Sequence, residues 1–72
     1  MAPRSERINR VMVRKLRLRR GLTQVSLAQR IGRARETIAR IENGKIEYPQ
    51  GKTVTDMAQV FEVDREVLLL PA

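Results

Sequence analysis

The sequence predicts an all-α fold, a compact bundle of about five short helices. Three observations carry this reading. Apolar residues recur at three- and four-residue spacing along most of the chain. No stretch alternates apolar and polar residues in the manner of a strand. Glycines at positions 21, 32 and 44 stand where successive helical patterns stop, the place where a left-handed terminating residue is needed. At 72 residues the chain is a single domain near the lower size limit for folding alone. It has no cysteine, so neither a disulfide nor a thiolate metal site can stiffen it. Stability must come from an economical helical core, supplemented if need be by self-association.

The elements follow in order. Residues 1–7 read as a basic N-terminal arm or the start of helix 1, and residues 8–70 as one domain. Ser5 is placed to cap a first helix running to about Arg20, with Ile8, Met12, Val13 and Leu16 on its core face. Val11 and Leu18 lie on a different side, either exposed or packed on a partner. The second helix covers about residues 24–31, capped by Thr23, with Leu27, Ala28 and Ile31 inward and Gly32 as its stop. The third covers about 34–43, with Ile38 and Ile41 inward and Gly44 closing it. Pro49 and Gly51 exclude a continuous helix through the following loop. Thr53 and Asp56 match an acidic variant of the capping box, predicting a fourth helix to about Glu62 with Val54, Met57, Ala58 and Phe61 inward. Asp64 is placed to cap a last short helix carrying Val67, Leu68 and Leu69, which Pro71 ends.

Charge divides the chain. Of 15 basic and 8 acidic residues, 13 basic and 3 acidic fall in residues 1–45, leaving 2 basic and 5 acidic beyond. Twelve of the cations are arginine, whose planar fork suits phosphates and guanine edges. A cationic half joined to a mildly acidic one suggests a polyanion partner on one side. The alternative is a basic protein whose charge serves solubility alone. With Tyr48 and Phe61 the only aromatic residues, a base-stacking platform for single strands is not expected. No segment approaches the ~20 apolar residues of a membrane span, and the basic N-terminus does not lead into a signal-peptide core. A cytoplasmic protein is the expectation. Without His or Cys, a glycine-rich phosphate loop or paired carboxylates outside ordinary helix surfaces, no enzyme is expected, and no metal, cofactor or small-molecule ligand.

Residues 21–44, GLTQVSLAQRIGRARETIARIENG, hold the functional pattern. Two short helices meet at a tight glycine-containing turn, and Arg33, Arg35, Glu36, Thr37 and Arg40 crowd the second helix and the turn before it. That is the layout of a helix-turn-helix, whose second helix enters the DNA major groove. A helical hairpin with a solvated cationic face has the same spacing.

Residues 13–69 resemble the lambda-repressor-like, Cro/Xre-type helix-turn-helix domain of phage repressors and small bacterial regulators. The resemblance rests on Gly21-Leu22-Thr23-Gln24, Leu27-Ala28, Gly32, Thr37-Ile38 and Ile41-Glu42-Asn43-Gly44. Pro49, Ala58 and Val63-Asp64 fit as well. It implies base contacts from Gln24, Arg35, Glu36, Thr37 and Arg40, with Arg35 the best candidate for a bidentate guanine contact and Arg40 second. Glu36 either accepts from a cytosine amino group or pairs with Arg40 at i, i+4, and the pairing is favoured. Phosphate contacts are implied for Arg33, Asn43 and Lys45, with Arg19, Arg20 and Thr23 as further candidates at the helix ends. Arg17 and Glu42 occupy the positions of a structural ion pair that locks the first helix to the third. Arg33 and Ala34 depart from the pattern, which usually has a small apolar residue and a capping serine or threonine there. The start of the third helix is therefore open by one residue, as is which of Arg33 and Arg35 reaches a base.

Family members usually bind as dimers on successive major grooves. Candidate dimer contacts are Ile46, Tyr48 and Pro49 in the loop and Leu68, Leu69 and Leu70 in the tail; the other reading of the tail is that it closes the core. The resemblance thus implies a sequence-specific transcriptional regulator, most simply a repressor, with double-stranded DNA as partner. The alternative is an antitoxin, a restriction-modification controller or a protein-interaction module of the same fold, with a toxin or polymerase as protein partner.

Overall fold

The computed structural model describes residues 6–71; residues 1–5 of the expected basic arm or helix start over 1–7, the cap at Ser5 among them, lie outside them. Four α-helices and a 3₁₀ helix follow one another: α1 Arg10–Arg19, α2 Gln24–Ile31, α3 Arg35–Glu42, α4 Gly51–Phe61 and the 3₁₀ helix Arg65–Leu68. The all-α expectation holds, and the fifth helical element takes the tighter form.

The first helix starts later than the sequence suggested. Asn9 is its cap, with its side-chain oxygen accepting from the Met12 N–H at 3.1 Å. The chain before it is extended and joined to distant segments. Ile8 donates to the Glu47 carbonyl (2.8 Å), Asn9 to Leu68 (2.8 Å), and Leu70 donates back to Arg7 (2.9 Å). Ile8 and Leu69 thereby form an isolated antiparallel bridge, and Ile8 is buried as part of that seam. Burial of Ile8 and three backbone hydrogen bonds outweigh the helical continuation that spacing alone implied.

The two central helices match expectation within a residue. Thr23 and Ser26 form a reciprocal capping box at the start of α2, satisfying two backbone donors that a helix start otherwise leaves open. Gly32 ends α2 at φ 68° and ψ 34°, a conformation that costs a residue with a Cβ roughly 1–2 kcal/mol. Its amide donates to Ala28 and Gln29 carbonyls, and the chain turns into α3. Ala34 is extended and supplies no side-chain cap.

Helix α4 begins at Gly51, two residues ahead of the expected capping box. Thr53 lies inside the helix and is buried, while Asp56 pairs with Lys52 at 3.1 Å. The helix stops at Glu62, which adopts the left-handed conformation at φ 59°. Asp64 precedes the 3₁₀ helix in extended conformation, but its side chain makes no cap hydrogen bond.

The core gathers one stripe from each element. Val13, Leu27, Ile38, Ile41, Val54, Met57, Phe61 and Leu68 are fully buried. Met12, Leu16, Leu22, Ile46, Val60, Val63 and Leu69 pack around them half-buried. Helix α2 packs on α3 and α4, and α1 on α3 and the 3₁₀ helix. This arrangement holds α3 between α1 and α2 and leaves its polar face outward. No helix among the described residues is long and apolar enough to cross a membrane.

Candidate nucleic-acid interface

The site is built upward from a buried ion pair. Arg17 on α1 meets Glu42 at the end of α3 through two parallel hydrogen bonds, Nε to Oε2 at 2.7 Å and Nη2 to Oε1 at 3.0 Å. Its remaining nitrogen donates to the Leu22 carbonyl at 2.8 Å. Both side chains are under 10% exposed, at 9% and 6%. A planar guanidinium is suited to such a contact because its fork matches both carboxylate oxygens at once. The pair therefore holds α1, the turn into α2 and α3 together.

From Glu42 the network continues outward. Gln24, the first residue of α2, donates from Nε2 to Glu42 Oε1 at 3.2 Å. Its Oε1 accepts from Arg35 Nη1 at 3.1 Å. Arg35 opens α3 and is exposed. A continuous chain of four side chains thus runs from the buried side of α1 to the surface at the start of α3. The helix starts of α2 and α3 lie side by side, presenting Gln24 and Arg35 together.

The other candidate residues divide by how they are already engaged. Arg40 donates to Glu36 at 3.1 Å, both exposed; this is the favoured i, i+4 pairing. Thr37 is half-buried at the edge of a concavity of about 340 Å³ shared with Arg33, Ile46, Tyr48, Pro49, Gln50 and Thr53. Arg33 lies back toward Gln50, the residue before α4, its Nη2 3.4 Å from Gln50 Oε1, with a buried Nε that has no hydrogen-bond partner among the described residues. Arg35 rather than Arg33 stands on the open surface of α3.

Thr23 uses its hydroxyl within the capping box. Asn43 accepts from the Lys45 amide at 3.0 Å and shapes the turn after α3. Arg19 and Lys45 are exposed. Arg20 is not a loose surface cation: it donates to the Phe61 carbonyl at 2.6 Å and lies 3.6 Å from Glu62, closing the end of α4. Cations are favoured at that end of a helix by its exposed carbonyls. Among the dimer candidates, Tyr48 is 61% exposed and Leu68 is fully buried. The Leu68 side chain is thus a core element and not a surface for a second copy. Ile46, Pro49, Leu69 and Leu70 are half-buried.

Two further contacts escaped the sequence reading. Arg10 Nη1 donates to the Glu42 carbonyl at the end of α3, at 3.4 Å. Arg65 forms two hydrogen bonds to Glu6, at 3.1 and 3.3 Å, and a third from Nε to Thr55 at 2.9 Å. Hydrogen bonding to Arg65, and then its charge, hold the Glu6 carboxyl below its ordinary value. Nothing local marks these pairs, since their members are 32 and 59 positions apart.

Two helices joined at a glycine turn, the second outward-facing and locked by a buried ion pair, define a helix-turn-helix domain. Residues 11–70 match the family model of the helix-turn-helix domain, and the chain belongs to that family. The match agrees with the Cro/Xre-type resemblance of its residues. No curated protein sequence matches the chain. Among solved structures, Bacillus thuringiensis PlcR, in complex with the peptide PapR7 and DNA, is similar at 28% identity and a TM-score of 0.72, over 79% of this chain and 20% of that one. Iron(II) HppE in complex with substrate is similar at 24% identity and a TM-score of 0.77, over 88% of this chain and 35% of that one. Cobalt(II) HppE in complex with Tris buffer is similar at 21% identity and a TM-score of 0.79, over 97% of this chain and 39% of that one. The likeness to HppE shows the fold alone. This chain spans between a fifth and two fifths of the length of these proteins.

Proposed function

We propose that this domain binds double-stranded DNA sequence-specifically and regulates transcription, most simply as a repressor occupying an operator. The observation that carries the reading is the joint presentation of Gln24 and Arg35 by adjacent helix starts, braced from beneath by the Arg17–Glu42 pair. A base-reading side chain must arrive in fixed register, and bracing of this kind supplies the register. The likeness to PlcR, solved with DNA, supports the same reading.

In this mechanism α3 enters the major groove with its first turn toward the base edges. Arg35 leaves Gln24 and forms a bidentate contact with guanine O6 and N7, while Gln24 turns to a neighbouring phosphate or base. Glu36, Thr37 and Arg40 line the same face, Arg40 contributing once its pair with Glu36 loosens. Arg19, Thr23, Asn43 and Lys45 supply phosphate contacts around the rim. Arg33 and Arg20 contribute through the field of the surface, each being already bound to the protein. One such helix spans too few base pairs for useful specificity, so a homodimer on an inverted repeat follows, with the loop at Tyr48 and the tail at Leu69 and Leu70 as its contact.

Selection of bound duplexes from a random library at near-physiological salt tests this reading. The expected result is an enriched inverted repeat with half-sites about one helical turn apart. Binding that shows no enrichment and disappears as salt rises would reduce the arginines to phosphate attraction, leaving a protein partner, such as a toxin, as the main ligand.

A further inference from the structure

Apart from Arg10, which donates to the Glu42 carbonyl, the outward face of α1 takes no part in the contacts described so far, yet it is patterned. Val11 is 68% exposed and Leu18 55% exposed. At 100° per residue they lie about 20° apart around the helix and roughly 10 Å apart along it, forming one seam. Arg14 and Lys15 flank that seam about 50° to either side, and Arg10 extends the cationic border. These five residues, with Glu42, line a shallow groove of about 410 Å³. Glu42 is already neutralised by Arg17, and neither Arg14 nor Lys15 has a carboxylate partner among the described residues.

We infer that this face docks an acidic amphipathic helix of a partner protein. Two apolar side chains seven positions apart, bordered on both sides by cations, match a helix carrying its own apolar pair between rows of Glu or Asp. The pattern argues against the two other occupants. In a pairing of α1 with a second copy of itself, Arg14 and Lys15 fall beside their own counterparts, and like charges oppose the contact. DNA phosphates would satisfy the cations but gain nothing from Val11 and Leu18, which contribute only when desolvated. The face also borders the end of α3, where Glu42 lies about 10 Å along that helix from Arg35. A docked helix therefore leaves the start of α3 uncovered. The inference rests on α1 and stands whether or not α3 reads DNA.

The test uses the full chain and a fluorescein-labelled synthetic helix of roughly 18 residues, long enough to hold helical structure, with two leucines seven apart between glutamates. The controls are the same peptide with both leucines replaced by serine, and polyglutamate of equal charge. Fluorescence anisotropy should show saturable binding of the leucine peptide, at least about tenfold tighter than either control. Leu18→Asp and Val11→Asp should each weaken it about tenfold while keeping the melting temperature and helical circular dichroism, since both positions are exposed. Equal binding of all three peptides, or binding of none, overturns the inference. Sedimentation showing self-association that Leu18→Asp abolishes would assign the face to a second copy. A tenfold loss of duplex affinity in Arg14→Glu or Lys15→Glu, with peptide binding unchanged, would assign it to DNA. Either outcome also overturns the inference.

Discussion

Replacing Arg17 with alanine should be the most damaging single polar change in the domain. The side chain satisfies three acceptor sites at once, both oxygens of Glu42 and the Leu22 carbonyl, at 2.7 to 3.0 Å. Its removal leaves a carboxylate that is 6% exposed with a single remaining side-chain partner, Gln24 at 3.2 Å. Stranding one member of a buried pair typically costs about 3–5 kcal/mol. A domain of 72 residues has roughly 4–11 kcal/mol of stability in total, so the loss consumes a large share of it. At about 4–8 °C per kcal/mol for a domain of this size, thermal unfolding followed by circular dichroism should show a drop of at least about 12 °C. The double replacement Arg17→Met with Glu42→Leu should recover most of that loss, because it removes the stranded charge as well. An Arg17→Ala protein melting within about 3 °C of the parent, less than 1 kcal/mol on the same scale, would refute the assignment of this pair as the brace of α3.

Other perturbations have definite expected outcomes. Ala34→Ser should stabilise by about 1 kcal/mol, since the extended backbone at Ala34 lacks only an acceptor side chain; an unchanged denaturant midpoint would count against the cap geometry. Glu62→Gly should raise the melting temperature by a few degrees, because Glu62 sits at φ 59° and its pair with Arg20 is solvent-exposed. Phe61→Ala, at a fully buried position, should cost about 3–5 kcal/mol and lower the melting temperature by at least about 12 °C; a drop of less than about 4 °C would count against its place in the core. The Glu6–Arg65 pair sets an acid dependence. The folded carboxyl lies below its ordinary value of 4.5, so its contribution is complete above that pH and lost as pH falls through the lower folded value. The melting-temperature difference between the parent and Glu6→Gln should therefore shrink from pH 6 to pH 3, and a constant difference would contradict this reading.

The contrast between what the residues disclosed and what they concealed follows sequence separation. Helices α2 and α3 were legible within a residue because their limits are set locally, by the Thr23 cap, the left-handed Gly32 and the turn at Gly44. The core faces were legible because helical spacing repeats in every helix. The start of α1 was not, because residues 6–9 are drawn into extended contact with Glu47, Leu68 and Leu69. A pattern confined to a few residues carries no record of such pairing. Thr53 and Asp56 have the spacing of a cap, yet burial of Thr53 places both inside α4. At the candidate interface, resemblance supplied the Arg17–Glu42 pair and the residues at the start of α3. Their engagement came only with the structure: Arg35 rests on Gln24, Arg33 on Gln50 and Arg20 on the end of α4. Arginines that look alike in sequence are thereby sorted into braces, caps and exposed side chains.

The central claim is that Arg35 reads a base from a braced helix start. The most direct measurement compares the parent and Arg35→Ala on the duplex enriched by selection and on duplexes with its guanines replaced one at a time. The expected result is one position at which the parent discriminates by about 1–3 kcal/mol, roughly 5- to 150-fold in affinity, and Arg35→Ala does not discriminate. An Arg35→Ala protein that weakens equally on every duplex while keeping the full preference at each position would contradict the claim, leaving Arg35 as a phosphate contact.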